Sequence, residues 1–366
     1  MKKNKVISIY SGCGGIDQGF HNAGYEIIYA TDYWEPACKT LVHNGVAKLV
    51  ECKDIRNVDF KSILKQENLE SIDCLVGGPP CPAYSKSRFY LKDKKRAMED
   101  ENSFTLSEYF RAVEETKPKV FFFENVHGFI FKPHQEAFNF LTKESTRLGY
   151  KIFYKIVNTA FYGVSQTRER LICIGVKEGL PDFKFPPETH YDPAQYDSVK
   201  DKNKKPWVTC GDILADLDID LPEDEKMKAG SKHKHLLELV PPGDNYLFFT
   251  EKRNHPKPIF KWRSRYWSFL LKLSPNRPSW TIQASHSNNM GPFHWKNRFL
   301  RIPEIKRIQT FDDNYEISGD FKSQWRQVGN AVPPLLAKIM ADEIYQQILN
   351  NKKVKKQETE QIAIKY

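Results

Sequence analysis

Short apolar runs separated by turn-forming residues recur through the first 176 positions. Residues 6–10, 26–31, 74–76 and 119–123 read as buried β-strands, with helical stretches between them. That alternation predicts a parallel sheet wrapped by helices. Residues 150–157 and 170–176 are two further β-rich runs, joined by a segment that holds Gly163 and an Arg-rich turn, and they are expected to pair as an antiparallel hairpin at the sheet edge. From about Lys177 the periodicity fades into Pro-rich and charge-dense sequence at 181–187 and 200–205, so a domain boundary is placed there. Helical patterning returns at 302–311 and more strongly at 331–349, which Pro333 and Pro334 open. The reading divides the chain into a first domain at 1–176, a middle domain at 177–295, a return to the first domain at 296–350 and a polar tail at 351–366.

Composition narrows the function class. A net charge of +10 over 366 residues favours a polyanionic partner, because Lys and Arg set against phosphates release counterions; a lysine-rich soluble protein would look the same. Seven scattered cysteines without a Cys-x-x-Cys pair fit neither a disulfide framework nor a zinc ribbon, so a reducing cytoplasm is the expected setting and no metal site is expected. No apolar run approaches the length of a membrane span.

Five local constellations carry chemistry. Ser11, Gly12, Cys13, Gly14 and Gly15 follow the first strand and precede a helix, where glycines let backbone amides approach a ligand. A dinucleotide fingerprint would need a third glycine where Asp17 stands. Asp32, just beyond the second strand, could accept hydrogen bonds from both ribose hydroxyls of an adenosine, or be an ordinary loop carboxylate. The segment 77–85 sets Cys81 among Pro79, Pro80 and Pro82, which stiffen the loop and fix the direction of the thiol. Its place at the C-terminal end of a parallel strand makes Cys81 a better candidate nucleophile than the other six cysteines. Glu124 ends a strongly apolar strand, where desolvation would raise its pKa and equip it to donate a hydrogen bond to a base nitrogen. Arg168 and Arg170, which strand alternation puts on one face, could hold a carboxylate, a base oxygen or a phosphate, or form an exposed charged turn.

Taken in order, these elements resemble the cytosine-5 DNA methyltransferase family, of the bacterial restriction-modification type; the late block Gln327-Val328-Gly329-Asn330 completes the set. The resemblance covers about 6–176 and 278–349. It implies an α/β fold with the S-adenosylmethionine-dependent methyltransferase (Rossmann-like) mixed sheet, and a smaller target recognition domain in the middle. It assigns Cys81 as nucleophile, Glu124 as partner of ring nitrogen 3 and the exocyclic amine, and Arg168 with Arg170 as the groups that position that carboxylate and the base oxygen. It places Tyr10 against the adenine of S-adenosylmethionine, Asp32 on the ribose and Asp54 on the adenine amino group. Ser11, Gly12, Gly14, Gly15, Tyr33, Ile55, Pro80, Leu106 and Asn330 would complete that pocket. Pro82, Tyr84 and Pro303 depart from the family's usual Gln, Phe and Arg.

The implied partner is double-stranded DNA, with a cognate restriction endonuclease that acts on the same sequence without stable binding; the protein would be a monomer in the cytoplasm, associated with the nucleoid. The basic and aromatic run at 260–267 suits a DNA-contacting surface, although Trp262 and Trp267 would equally suit a small-domain core. Two rivals share the scaffold: a tRNA methyltransferase and a catalytically silent DNA-binding regulator. A zinc deaminase needs Pro-Cys-x-x-Cys, and Tyr84 stands where the second Cys belongs.

Overall fold

The computed structural model describes residues 3–80, 104–229 and 231–350. Along the chain the regular elements are β1 (Lys5–Ile9), α1 (Gly15–Asn22), β2 (Glu26–Asp32), α2 (Glu35–Asn44), β3 (Val50–Cys52), α3 (Phe60–Gln66) and β4 (Cys74–Gly77). Next come α4 (Phe104–Thr116), β5 (Val120–Val126), α5 (Gln135–Arg147), β6 (Tyr150–Asn158), β7 (Gln166–Thr167) and β8 (Glu169–Lys177). The remainder holds β9 (His190–Tyr191), β10 (Lys205–Pro206), α6 (Cys210–Leu214), α7 (Lys234–Leu239), β11 (Ser279–Trp280), α8 (Ile302–Ile308), α9 (Phe321–Asn330) and α10 (Pro334–Ile344).

One seven-stranded sheet runs in the order β3-β2-β1-β4-β5-β8-β6. The pairs from β3 to β5 are parallel, whereas β8 is antiparallel to β5 with Glu124 opposite Ile172 and Val126 opposite Arg170. The parallel part answers the alternation read from the sequence, and β6 occupies the edge beside β8. The short β3 carries too few apolar residues to stand out in a periodicity reading.

Both faces of the central strands are covered, which is why they read as continuous apolar runs. On one face Ile7, Ile9, Leu75, Phe121 and Phe123 pack with Tyr109 and Phe110 of α4 and Leu141 of α5. On the other, Phe122 meets Phe20 of α1 edge-on at 5.8 Å. Helix α10 lies on α1 at Gly19, and the Tyr25 hydroxyl donates to the Ala341 carbonyl at 2.9 Å. The last helix therefore reaches the sheet through α1. It begins at Pro334 rather than Ala331, because the extended Pro333 sets the first turn and a proline there sacrifices no helical hydrogen bond. Helix α8 stops at Ile308, short of the expected 311; Thr310 takes φ +63°, which no helix continues through.

The chain forms two compact units, divided differently from the sequence reading. The first contains 1–157, 169–187 and 332–366; the second contains 158–168 and 188–331. The composition changes at 177, but the chain stays with the sheet for ten more positions: Phe183 is buried, and the Lys184 backbone exchanges two hydrogen bonds with the Gln347 side chain. The return falls at 332 rather than 296, since α8 and α9 belong to the second unit.

The second unit has little regular structure, and an apolar cluster of Leu237, Tyr246, Phe249, Phe269, Leu270 and Phe293 forms its core. A buried ion pair braces it: Arg298 grips Glu304 through two bonds of 2.9 and 2.7 Å, and the Arg301 amide donates to the same carboxylate. Pro303, where the family favours Arg, fits the first turn of α8 without loss of a needed donor. No helix among the described residues is long and apolar enough to cross a membrane.

Candidate active site

The glycine-rich turn after β1 is built from positive-φ residues: Tyr10 at +53°, Gly12 at +54° and Gly14 at +84°. Gly14 caps α1, and its amide closes the turn on the Ser11 carbonyl at 2.9 Å. A side chain at Gly12 would meet no atom within 4 Å, so the glycine is there for its backbone conformation and leaves open space over the loop. Asp32 fixes that loop: one carboxylate oxygen accepts from the Gly12 amide at 2.8 Å and the other from the Trp34 amide at 2.9 Å. Two-thirds of Tyr33 is exposed beside it.

The first turns of α4 gather the other expected pocket residues. The Tyr10 hydroxyl donates to the Thr105 carbonyl at 2.7 Å, the Thr105 hydroxyl reaches the Pro80 carbonyl at 3.4 Å, and Leu106 is buried next to them. One turn on, Arg111 donates to the Ile55 carbonyl at 2.7 Å. Asp54 caps the short turn that holds Ile55 and pairs with Arg56, whose hydrogen bonds hold its carboxyl below the usual range. Helix α4 thus ties the ends of β1 and β4 to the turn after β3. Sequence reasoning singled out Leu106 but missed Thr105, for which a lone threonine gives no signal.

An adenosine with an amino-acid tail fits these residues. The open backbone turn ends on a helix N-terminus suited to a carboxylate, and the Asp32 carboxylate stands against that turn at the end of β2.

At the C-terminal end of β5, Glu124 is largely buried and accepts from Arg170 Nε on β8 at 2.9 Å. The register that sets Val126 opposite Arg170 delivers this pair. Burial pulls the Arg170 pKa down, and the Glu124 charge opposes that shift. Gly78 lies against this carboxylate, for a Cβ there would stand 2.8 Å from the second Glu124 oxygen. Asn125 donates to the Pro79 carbonyl at 3.3 Å and so braces the loop after β4 against the end of β5.

Arg168 does not share this strand face. It lies between β7 and β8 in the second unit, where its buried guanidinium donates to the carbonyls of Ile282 and Gly329 at 3.0 and 2.9 Å. Asn330 ends α9, also in the second unit. Cys81 lies outside the described residues. Of the described cysteines, burial pushes Cys13, Cys38, Cys74 and Cys173 up as thiols and Cys210 up to about 12. Each is thereby a poor source of thiolate.

Residues 4–346 match the family described as C-5 cytosine-specific DNA methylase. The chain belongs to this family. Among the methylase's relatives, Type II methyltransferase M.SacI of Streptomyces achromogenes is 37% identical over 94% of this chain and 93% of its own length. Type II methyltransferase M.NgoFVII of Neisseria gonorrhoeae is 31% identical over 91% and 84%. The methylase fold recurs in a prophage-encoded E. coli protein, at TM-score 0.67 and 21% identity over 95% and 100% of the two chains. It recurs also in the S. pombe Dnmt2 methyltransferase, at TM-score 0.60 and 15% identity over 94% and 99%. The mixed sheet is accordingly that of the C5 methyltransferases.

Proposed function

We propose that this methylase modifies carbon 5 of cytosine within a short sequence of double-stranded DNA, as the protective partner of a restriction endonuclease. The observation that carries the reading is the Glu124–Arg170 pair at the end of β5, packed against the Gly78 backbone. The naming of the relatives as Type II methyltransferases supports the restriction-modification setting. The protein acts alone and in the cytoplasm, on the host's own DNA.

Tyr10, Asp32, Tyr33, Asp54, Ile55, Pro80 and Leu106, with the turn at Ser11, Gly12, Gly14 and Gly15, hold S-adenosylmethionine. When bound, it supplies an electrophilic methyl group. Cys81, as thiolate, adds to carbon 6 of a cytosine turned out of the duplex; the electron pair released toward nitrogen 3 is stabilised by a hydrogen bond from Glu124. Carbon 5 is thereby made nucleophilic toward that methyl group, whose bonding pair would stay on the cofactor's sulfur. Loss of the proton on carbon 5 to a base and departure of Cys81 restore the aromatic ring. Arg170 orients the Glu124 carboxyl throughout, and Arg168 supports the segment that leads into β8.

The test is transfer of labelled methyl to unmethylated genomic DNA and to total tRNA, followed by bisulfite sequencing of the DNA. Wild type should mark one short sequence, Cys81→Ser should be inactive, and Glu124→Gln should lose roughly 10²- to 10⁴-fold in rate while it still binds S-adenosylmethionine in calorimetry. Label in tRNA alone would overturn the DNA assignment, and full activity of Cys81→Ser would overturn the mechanism.

A further inference from the structure

In the second unit, residues 261–267 read Lys-Trp-Arg-Ser-Arg-Tyr-Trp, and every one of them is exposed. Trp262 is 38% exposed, Tyr266 63% and Trp267 52%. The sequence leaves Trp262 and Trp267 open to a core role; the structure puts both at the surface, and the Trp267 ring meets that of Trp280 at 5.4 Å. Over 251–267 the chain carries six cations and one acid, and of the cations Arg253 is paired with Asp244.

The segment is nonetheless fastened. The Tyr246 hydroxyl, rooted in the core, donates to the Arg265 carbonyl at 2.9 Å and accepts from the Arg265 amide at 3.2 Å. Asn245 donates to the Trp267 carbonyl at 2.8 Å. Phe260 and Phe269, on either side of the run, pack edge-on at 5.7 Å. Lys252 stands 4.7 Å over the Trp262 ring. Large rings and cations held outward by a buried anchor leave apolar area in water and concentrate like charge, two costs that a polyanion with apolar groove edges would remove.

We propose that residues 261–267 form the face of the second unit that lies along the target duplex, with Lys261 and Arg263 on phosphates, and Trp262 and Tyr266 on groove edges that select the sequence. This deepens the proposed function and rests on it. Phosphate contacts set affinity and its salt dependence, whereas contacts to base edges discriminate, so the two residue classes give separate signals.

The experiment uses the full chain and a 30-base-pair duplex that contains the site marked by wild type. For Lys261→Ala with Arg263→Ala, anisotropy titrations should show about 30-fold weaker binding at 0.15 M salt, and a slope of log affinity against log salt smaller by about 1.8. Lys61→Ala with Lys65→Ala, on α3, should leave both nearly unchanged. Trp262→Ala and Tyr266→Ala should keep the wild-type salt slope but spread bisulfite-detected methylation to related sequences or lower it at the cognate one. Calorimetric binding of S-adenosylmethionine, together with melting temperature, checks folding; if a truncation fails there, Lys261→Gln, Arg263→Gln and Tyr266→Phe replace it. Wild-type affinity, slope and sequence choice in folded variants would overturn the proposal while the proposed function stands. Absence of DNA methylation by wild type would overturn both.

Discussion

Single side chains divide between those a motif announces and those only a neighbour explains. Glu124 stood out in the sequence because a carboxylate ends an apolar run, whereas its pairing with Arg170 depends on an antiparallel register between strands 46 residues apart. In the sequence, Asp17 stands out only as the residue that spoils a dinucleotide fingerprint. It is fully buried in the first turn of α1, and burial lifts its pKa from 3.8 to about 7, against a smaller opposing effect of the Ser8 hydroxyl. The folded pKa lies above the unfolded one, so its contribution to stability is complete below about pH 4. It is lost as the pH rises to about 7, because the unfolded chain ionises first. Asp17→Asn should therefore melt close to wild type at pH 4 and above it at pH 8, with the gap worth up to about 4 kcal/mol. Thermal melts of both proteins at the two pH values check this, and a pH-independent gap would refute it.

At the level of elements, the contact between α1 and α10 shows how close packing depends on one missing side chain. A Cβ at Gly19 would lie 2.5 Å from that of Ala337 and 2.6 Å from the Pro334 carbonyl, so the helices meet backbone to backbone. Gly19→Val should push α10 off α1 and cost at least about 1–3 kcal/mol in urea unfolding, an overpacking penalty that the buried interface cannot absorb by a rotamer change. An unchanged midpoint would mean that α10 moves freely on α1. The same logic places Gly78 under Glu124, where the absent side chain serves the site rather than the core.

For the molecule as a whole, the division into units is interleaved rather than sequential, because the chain leaves the sheet at 158, rejoins it for 169–187 and returns at 332. Helix α10 supplies buried Leu336, Met340 and Ile344 to the first unit after the entire second unit has been traversed. A chain ended at Ala331 should consequently lose S-adenosylmethionine binding and protease resistance in the sheet unit. Calorimetry and limited proteolysis beside the full chain check this, and a truncated chain that still binds would show that α10 is dispensable there.

The sequence by itself determined the parallel sheet, the place of the glycine-rich turn, the position of Glu124 at a strand end and the family. All of these depend on local patterns of apolar and turn-forming residues or on short motifs. Tertiary structure alone decided that Arg170 pairs with Glu124 while Arg168 is bound to carbonyls of the second unit, since register and unit membership separate two residues that alternation had put together. It also decided where the units divide and whether Trp262 and Trp267 are core or surface. Composition is averaged over many positions and cannot report which side of a fold a given ring occupies, whereas burial is set by the residues that chain topology brings to meet it.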